Sequence, residues 1–187
     1  RWKFLDTLEA RLLEERIPRK ARGVTVASSC LKQRALDLGI PKNRIFLLRS
    51  GADVETIRPL NKAACRKSLG LPEEAPLINF VGYAVWDVEV LLEAFEMIKS
   101  RYPAAILQII GHDKDGLMPE LIKQSSYRDS IIERGSVPYQ ELPTYLGAAD
   151  IQVLPLQDRP DNRARWPIKV GDYLASGRPM VIQSVGD

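Results

Sequence analysis

The chain has 187 residues, 45% of them apolar and 27% charged, which is the composition of an ordinary globular protein. Its net charge of +3 is too small to favour nucleic acid as a partner. The longest apolar run, around residues 75–86, contains Asn79 and is shorter than the roughly 20 residues that cross a bilayer.

The cysteines and the start of the sequence favour a cytoplasmic protein. Cys30 and Cys65 lack the spacing of metal ligands, so we expect both thiols to be reduced. The first residues run into a charged helix and do not form a signal-peptide pattern. A basic cluster at residues 19–22 has two interpretations: contact with an anionic lipid or a phosphorylated ligand, which leaves peripheral membrane contact open, or a solvated connector.

The first sixty residues predict a helix followed by a strand–helix–strand unit. Leu5, Leu8 and Leu12 recur at helical spacing over residues 2–16, and Pro18 is expected to end that helix. The elements that follow are a strand at 24–28, a helix at 30–38, a strand at 45–48 and a linker at 58–61.

From residue 77 onward, short apolar strands alternate with helices. The strands are predicted at 77–81, 106–110, 131–132 and 151–154, and the helices at 88–99, 118–124 and 140–149. This alternation is typical of a doubly wound parallel α/β sheet with right-handed crossovers. Ligands bind at the carboxyl ends of such strands, where Gly82, Gly111 and Gly135 stand.

The last stretch predicts a helix that begins at Pro167 and ends at Gly177 in the left-handed conformation. We expect an apolar stripe on this helix, with three polar residues on another face, and then a buried inner strand at 180–182. The stripe consists of Val170, Leu174 and Ala175, and the polar residues are Lys169, Asp172 and Ser176. The amino end of the helix is a place for an anion, and the polar loop 157–166 before it is where function is expected.

Four ordered stretches carry a resemblance to a known family. They are Ser28-Ser-Cys-Leu-Lys with Arg49-Ser-Gly-Ala-Asp53 and Ile57-Arg-Pro59; Phe80-Val-Gly82 with Leu91-Leu-Glu-Ala-Phe95; Tyr102-Pro-Ala-Ala-Ile-Leu-Gln-Ile-Ile-Gly111; and Gly135-Ser-Val-Pro with Leu142-Pro-Thr-Tyr-Leu-Gly-Ala-Ala-Asp150, continuing through the helix and strand that end at Ile182. Together they cover almost all of residues 24–187. They resemble, in the same order, the retaining, nucleotide-sugar-dependent glycosyltransferases of group 1 (family 4), which have the two-domain GT-B fold.

The resemblance implies a domain organisation and an activity. Residues 1–58 are similar to the last elements and linker of the acceptor-side N-terminal domain, and residues 59–187 to a truncated, Rossmann-like donor-binding C-terminal domain. The implied reaction moves a sugar from a nucleoside-diphosphate sugar to a sugar, lipid or other hydroxyl acceptor with retention. It needs no metal and no cofactor beyond the donor substrate. The family's catalytic histidine falls outside this chain, so we expect the fragment alone to be inactive and His112 to be a loop residue beside the pocket.

The family holds the diphosphate with a helix amino end and two basic residues after the first strand, because negative charge develops on that leaving group. Here the two basic positions match Tyr83 and Trp86, which are not basic. We therefore expect the charge to come from the opposite loop and helix, through Arg163, Arg165 and Lys169. The backbone amides of Trp166, Ile168 and Lys169 would face the phosphates.

The resemblance also implies which residues bind the nucleoside. Asp172 matches an acidic residue that binds the ribose hydroxyls, although it is shorter than the usual glutamate; the alternative is an ion pair with Lys169. A second acidic position falls on Ala164, so that its role is missing or has moved to Asp161. Gly82 ends the first strand of the donor domain, and the backbone of Val137 is placed beside the nucleobase.

Two rival functions remain open from the sequence. The uncharged residues at the basic positions favour a non-catalytic scaffold or nucleotide-binding domain. The second rival function is that of a nucleotide-sugar epimerase. Such an enzyme shares the two-domain fold but needs different acid–base residues.

Overall fold

The structure, a computed structural model, describes residues 8–82, 85–113 and 116–187, with the backbone alone for residues 10, 85 and 86. It divides the chain into two compact units. The first unit contains the described residues up to Ser50 together with Asp158–Pro167 and Ser184–Asp187; the second contains Gly51–Gln157 and Ile168–Gln183. The predicted helical residues 2–7, including Leu5, lie outside the described residues, as do Tyr83 and the side chain of Trp86. The predicted division into residues 1–58 and 59–187 concerns the domains of a longer protein and stays a prediction.

The first unit contains a small parallel β–α–β arrangement. Its elements are a π-helical stretch (Ala10–Arg16), α1 (Ile17–Lys20), β1 (Val24–Val26), α2 (Ser29–Asp37), a 3-10 turn (Lys42–Arg44) and β2 (Ile45–Leu47). Strands β1 and β2 pair in parallel, with Val24 opposite Ile45. The Ser28 hydroxyl caps α2 by accepting a hydrogen bond from the Leu31 N–H at 3.2 Å. The strand–helix–strand prediction is therefore confirmed.

Pro18 does not end the first helical segment, contrary to the prediction. It is the second residue of α1, which continues directly from the π-helical stretch, so the helical backbone runs through the proline to Lys20. The leucines expected to face a core, Leu8 and Leu12, are 55% and 47% exposed. Helical spacing alone thus located the helix but not its end.

The second unit contains most of the predicted strand–helix alternation. Its elements are α3 (Lys62–Leu69), β3 (Leu77–Val81), α4 (Val85–Arg101), β4 (Ile106–Ile110), α5 (Leu117–Gln124), a 3-10 turn (Arg128–Ser130), β5 (Ile131–Gly135), α6 (Leu142–Ala148) and β6 (Ile151–Leu154). After β6 the chain forms α7 (Pro160–Ala164) in the first unit, then α8 (Ile168–Ala175) and β7 (Met180–Ile182) in the second. Two helices were not predicted. Helix α3 is capped by Asn61, whose side chain accepts from the Ala64 N–H, and α7 lies inside the expected loop 157–166.

The five strands of the second unit form an all-parallel sheet in the order β5-β4-β3-β6-β7. This confirms the doubly wound α/β fold class. Strands β4 and β6 flank β3 on opposite sides, so the strand order reverses at β3. At the carboxyl ends, the Gly82 N–H donates to the Ile110 carbonyl at 2.7 Å, and the Gly111 N–H donates to the Gly135 carbonyl at 2.8 Å. The three glycine-ended strands therefore finish side by side, as the sequence predicted.

Strand β7 is an edge strand, not the buried inner strand that its apolar residues predicted. It pairs with β6 at the end of the sheet, and Val181 and Ile182 are 57% and 39% exposed. An apolar run specifies a strand but not its place in the strand order, because that place depends on the other strands.

The buried face of α8 also differs from the predicted apolar stripe. Val170 is buried as expected, but Leu174 is 64% exposed, and the buried positions are Val170, Tyr173 and Ser176 at a spacing of three. The Ser176 hydroxyl is satisfied inside the helix, because it donates to the Tyr173 carbonyl at 2.7 Å. Asp172, predicted on an outer face, is buried as well. Gly177 ends the helix with φ of 68°, as predicted.

A buried ladder of polar side chains crosses four strands of the sheet. Asn79 on β3 donates to Gln152 on β6 at 2.6 Å and accepts from Gln108 on β4 at 3.0 Å. Arg134 on β5 donates to Gln108 at 3.0 Å, and Gln152 donates to the Leu146 carbonyl of α6 at 2.9 Å. The three amides are fully buried, and their mutual hydrogen bonds offset the cost of removing them from water.

Candidate functional site at the carboxyl end of the sheet

A lysine from helix α8 lies over the carboxyl end of strand β3. The Nζ atom of Lys169 is 5.4 Å from the centroid of the Phe80 ring, within the range of a cation–π contact. A Cβ atom at Gly82 would lie 2.6 Å from this nitrogen and 2.6 Å from the Cζ atom of Phe80. The bare backbone at Gly82 therefore lets the ammonium group and the ring approach the strand end together.

The neighbouring strand ends in the same way. Gly111 has φ of 143°, and a Cβ there would lie 2.2 Å from the carbonyl oxygen of Gly82. A side chain at position 111 is excluded by both the backbone conformation and this close approach. The edge of the sheet beside Lys169 is thus formed by two glycine backbones that approach each other closely.

Strands β3 and β6 separate at the point where the strand order reverses. They pair at Ile78–Ile151 and Asn79–Gln152, whereas the β3–β4 pairing continues to Val81–Ile110. The buried Tyr173 hydroxyl lies beyond the last β3–β6 pair, where it accepts from the Val81 N–H at 2.8 Å and donates to the Val153 carbonyl at 3.4 Å. In doubly wound sheets a ligand crevice forms at this kind of switch point.

Asp172, one turn into α8, is a buried carboxylate. It is 9% exposed, and burial raises its pKa above that of an ordinary aspartate. Within the described part of the chain, no hydrogen bond or ion pair to this carboxylate is found, so the alternative of an ion pair with Lys169 is not supported. Lys169 contacts the end of β3 instead.

Tyr139, which the sequence did not single out, lies near Asp172 and Asp53 in the second unit. Burial raises its pKa, and the charges of Asp172 and Asp53 raise it further, so this ring lies close enough to both carboxylates to feel their fields. It follows Val137 by two residues in the loop after β5, and an aromatic residue at that spacing was the available signal.

The predicted residues of the loop 157–166 belong to the first unit and have partners there. Arg163 binds Asp158 through two hydrogen bonds, of 2.5 and 2.6 Å. Trp166 donates from its indole to the Ser50 carbonyl at 3.0 Å, and the Arg49 guanidinium lies 5.0 Å from its ring centroid.

Neither candidate for the second acidic position acts as an unpaired acid. Asp161 is bound by Arg159 at 3.1 Å, and this hydrogen bond lowers its pKa. Ala164 contributes only a backbone carbonyl, which accepts from the Ser28 hydroxyl at 2.5 Å.

The structure places the eight predicted site residues in both units. Gly82, Val137, Ile168, Lys169 and Asp172 belong to the second, and Arg163, Arg165 and Trp166 to the first. Ile168 and Arg165 are exposed, Val137 is half-buried, and His112 is an exposed loop residue after β4. That all eight bind one nucleotide-sugar donor stays a prediction.

Over residues 8–82, 85–113 and 116–187, no group of three His, Cys, Asp or Glu side chains is arranged to hold a metal ion. In the same ranges, no helix is both long and apolar enough to cross a bilayer. A groove of about 250 Å³ between α4 and strands β3, β6 and β7 is lined mainly by apolar side chains and contains none of the predicted site residues. The polar side chain in its lining is Gln183, whose amide oxygen already accepts from the Leu156 N–H, so few polar groups are left to orient a ligand.

Comparison with known proteins gives one family. The model of Glycosyl transferases group 1 matches residues 75–187. A Bacillus subtilis (strain 168) protein with the provisional name teichuronic acid biosynthesis glycosyltransferase TuaH is 27% identical over 175 residues, which are 90% of this chain and 42% of that protein. A D-inositol 3-phosphate glycosyltransferase of Thermobispora bispora is 25% identical over 158 residues, covering 78% of this chain and 36% of the relative. The chain thus spans less than half the length of these relatives.

Solved structures agree on the fold. Sucrose-phosphate synthase from Thermosynechococcus elongatus superposes with a TM-score of 0.76 at 22% identity, over 94% of this chain and 44% of that one. HepE of Anabaena, solved in complex with UDP and glucose, gives 0.75 at 14% identity, over 94% and 48%. The architecture is therefore the parallel-sheet α/β fold of the C-terminal half of GT-B proteins.

Proposed function

Because the chain belongs to the family Glycosyl transferases group 1, we propose that it is the donor-binding part of a retaining glycosyltransferase of the family 4 type. The parent protein would transfer a sugar from a nucleoside-diphosphate sugar to a hydroxyl group of a sugar, lipid or other acceptor. The donor would be attacked on the face that its diphosphate leaves.

The position of Lys169 carries this proposal. Its ammonium group lies at the first turn of α8, beside the bare backbone of Gly82 and at the switch point of the sheet. The first N–H groups of a helix have no intrahelical acceptor, and their dipoles favour an anion. A lysine and a helix amino end converging on a glycine-lined strand end suit a diphosphate, and they would stabilise the charge that it gains on leaving.

The remaining residues of the second unit suit a nucleoside. The Asp172 carboxylate is an acceptor without a partner in the described part of the chain, and a ribose cis-diol offers it two donors. Tyr139 provides an exposed aromatic face near Asp172, beside the backbone of Val137, where a base is expected. Because HepE was solved with UDP, UDP is the first probe to use.

The test is binding of UDP and GDP to the 187-residue chain, measured by calorimetry and by ligand-detected NMR. We expect one of them to bind, and Lys169→Met to weaken it roughly tenfold, as for the loss of a contact to a charged group. The matched control is Lys123→Met, because Lys123 is exposed on α5 and pairs only with Glu120 among described residues. Asp172→Ala should weaken uridine as much as UDP, whereas Lys169→Met should affect UDP alone.

The same experiment separates the rival functions. Failure of the chain to bind any nucleoside diphosphate contradicts the donor-binding role and favours a non-catalytic scaffold. Binding with equal affinity by the Lys169→Met and Lys123→Met variants contradicts the role of Lys169. Turnover of the donor by the parent protein without an acceptor would favour an epimerase. A cytoplasmic location and independence of metal stay predictions from the sequence.

A further inference from the structure

Helix α8 touches three consecutive residues at the end of β3 through two side chains one turn apart. Lys169 contacts Phe80 and lies over Gly82, while Tyr173, four residues later, binds the backbone N–H of Val81. Residues four apart on a helix point to the same side. The lysine and the tyrosine therefore fix one helix against one strand end.

The tyrosine hydroxyl takes the place of a strand–strand hydrogen bond. Beyond Asn79–Gln152, strands β3 and β6 no longer pair, and the Tyr173 oxygen accepts from Val81 on one strand and donates to Val153 on the other. The side chain is fully buried, so water does not replace it there. Burial also raises the pKa of Tyr173 and keeps the hydroxyl protonated, as its bond to the Val153 carbonyl requires.

We propose that Tyr173 is a positioning residue of the diphosphate site: its hydroxyl bridges β3 and β6 at the switch point and fixes Lys169 over Gly82. This rests on the proposed donor-binding function and goes beyond it, since Tyr173 itself does not touch the donor. The residue acts through Val81, which precedes Gly82, and through the helix turn that it shares with Lys169.

The chemistry that depends on this arrangement is the binding of phosphate groups. Without the hydroxyl, the Val81 N–H loses its acceptor, and both the strand end and the first turn of α8 are free to shift. A phosphate contact depends strongly on the position of the ammonium group, whereas the ribose and base contact other residues. Loss of the hydroxyl should therefore act on the diphosphate more than on the nucleoside.

The experiment compares UDP (or GDP, if that is the ligand) with its nucleoside in the unaltered chain, Tyr173→Phe and Tyr145→Phe. We expect Tyr173→Phe to weaken the diphosphate about tenfold and leave the nucleoside unchanged. Tyr145→Phe is the matched control: no hydrogen bond of its hydroxyl is found among the described residues, and it should bind both ligands normally. In the Lys169→Met background, Tyr173→Phe should add little, because the group that it positions is gone.

The outcomes of this experiment separate the positioning role of Tyr173 from a purely stabilising one. Equal weakening of diphosphate and nucleoside, or full additivity with Lys169→Met, overturns the positioning role and leaves Tyr173 a stabilising residue. If the unaltered chain binds no nucleoside diphosphate, the proposed function fails and the role of Tyr173 fails with it. If the unaltered chain binds the diphosphate and Tyr173→Phe binds it with the same affinity, only the role of Tyr173 fails. Should Tyr173→Phe not fold, p-aminophenylalanine at position 173 keeps the donor to the Val153 carbonyl but accepts only weakly from the Val81 N–H. It should weaken UDP binding and leave the nucleoside unchanged, and a folded variant that binds UDP like the unaltered chain would overturn the proposal.

Discussion

The Asp150 carboxylate accepts a hydrogen bond of 2.6 Å from the Arg66 guanidinium, which is 2% exposed although it is charged. The other Arg66 donors reach the backbone carbonyls of Ala148, Pro72 and Glu73, and Asp150 also accepts from Lys62 and from the Leu77 N–H. Because every one of these contacts lies in the second unit, the pair joins α3 to the starts of β3 and β6.

We predict that Asp150→Asn lowers the free energy of unfolding at neutral pH. The loss should lie between the ~1 kcal/mol of an exposed ion pair and the ~3–5 kcal/mol of a buried one, since Asp150 is half-buried. Burial by itself raises the pKa of Asp150, but hydrogen bonds from Lys62, the Leu77 N–H and Arg66 outweigh it and lower the pKa. The stabilisation is thus fully present above the ordinary carboxyl pKa, about 4, and disappears as pH falls through the lowered value.

Denaturant unfolding of both proteins between pH 2.5 and 7 measures this difference. The difference in free energy of unfolding between the two proteins should disappear at acid pH. A gap that stays constant with pH would mean that Asp150 acts through packing, not charge.

We predict that Gly111→Ala destabilises the second unit by about 1–3 kcal/mol, as overpacking does. The new Cβ would meet the Gly82 carbonyl oxygen at 2.2 Å, at a backbone φ of 143° that disfavours alanine. Gly51→Ala is the matched control, because no atom lies within 4 Å of its added Cβ and its φ is not positive. Thermal unfolding of the two variants is the measurement, and equal melting temperatures would contradict the close approach of the two strand ends.

We predict that Asn79→Leu destabilises the sheet by about 1–3 kcal/mol, because it removes a donor and an acceptor from the ladder and leaves Gln108 and Gln152 without partners there. Gln140→Leu is a suitable control, since Gln140 is exposed and no hydrogen bond of its side chain is found among the described residues. Chemical denaturation compares them. If both variants unfold at the same denaturant concentration, the ladder adds nothing to stability.

We predict that Asp172→Asn raises stability while it weakens nucleotide binding. Burial raises the Asp172 pKa in the folded protein, so the ionised form destabilises the fold above that pKa, and stability from this group increases as pH falls through it. The asparagine removes this cost at neutral pH, but it also removes the charged acceptor for the ribose hydroxyls. A melting curve and a UDP titration on the same samples test the two claims. A lower melting temperature for Asp172→Asn would contradict the gain in stability, and an unchanged UDP affinity would contradict the role in binding.

We predict that EDTA leaves UDP affinity unchanged. The reason is the positive charge of Lys169 and the amino end of α8, which would balance the diphosphate without a cation. Calorimetric titration with EDTA and with added Mg²⁺ provides the comparison, and a UDP affinity that rises with Mg²⁺ would show that a cation takes part.

The strands of the second unit were predictable because each is a short apolar run that ends at a glycine or before a helix. The bounds 77–81, 106–110 and 151–154 agree with β3, β4 and β6. Helix α3 was missed because it has no apolar stripe at helical spacing: its buried residues are Cys65 and the charged Arg66. The exposure of β7 was missed because it depends on strand order, which pairs residues far apart in the chain.

For the site, the sequence located the region but not the partners within it. Lysine, aspartate and serine share one spacing on α8, and this pattern predicted a polar face but not the burial of Asp172. The contact of Lys169 with Phe80 and the bridge from Tyr173 to Val81 join elements about 90 residues apart, so no local pattern indicates them.

The ladder from Arg134 to Leu146 has a consequence for how this fold varies in length. Adding or deleting one residue inside β3, β4 or β6 would turn its amide to the other face and break the chain of hydrogen bonds at that strand. Insertions in the turns beyond the strand ends leave the ladder intact. Changes in length should therefore be confined to the loops beyond the strand ends, while the lengths of the strands that form the ladder stay constant.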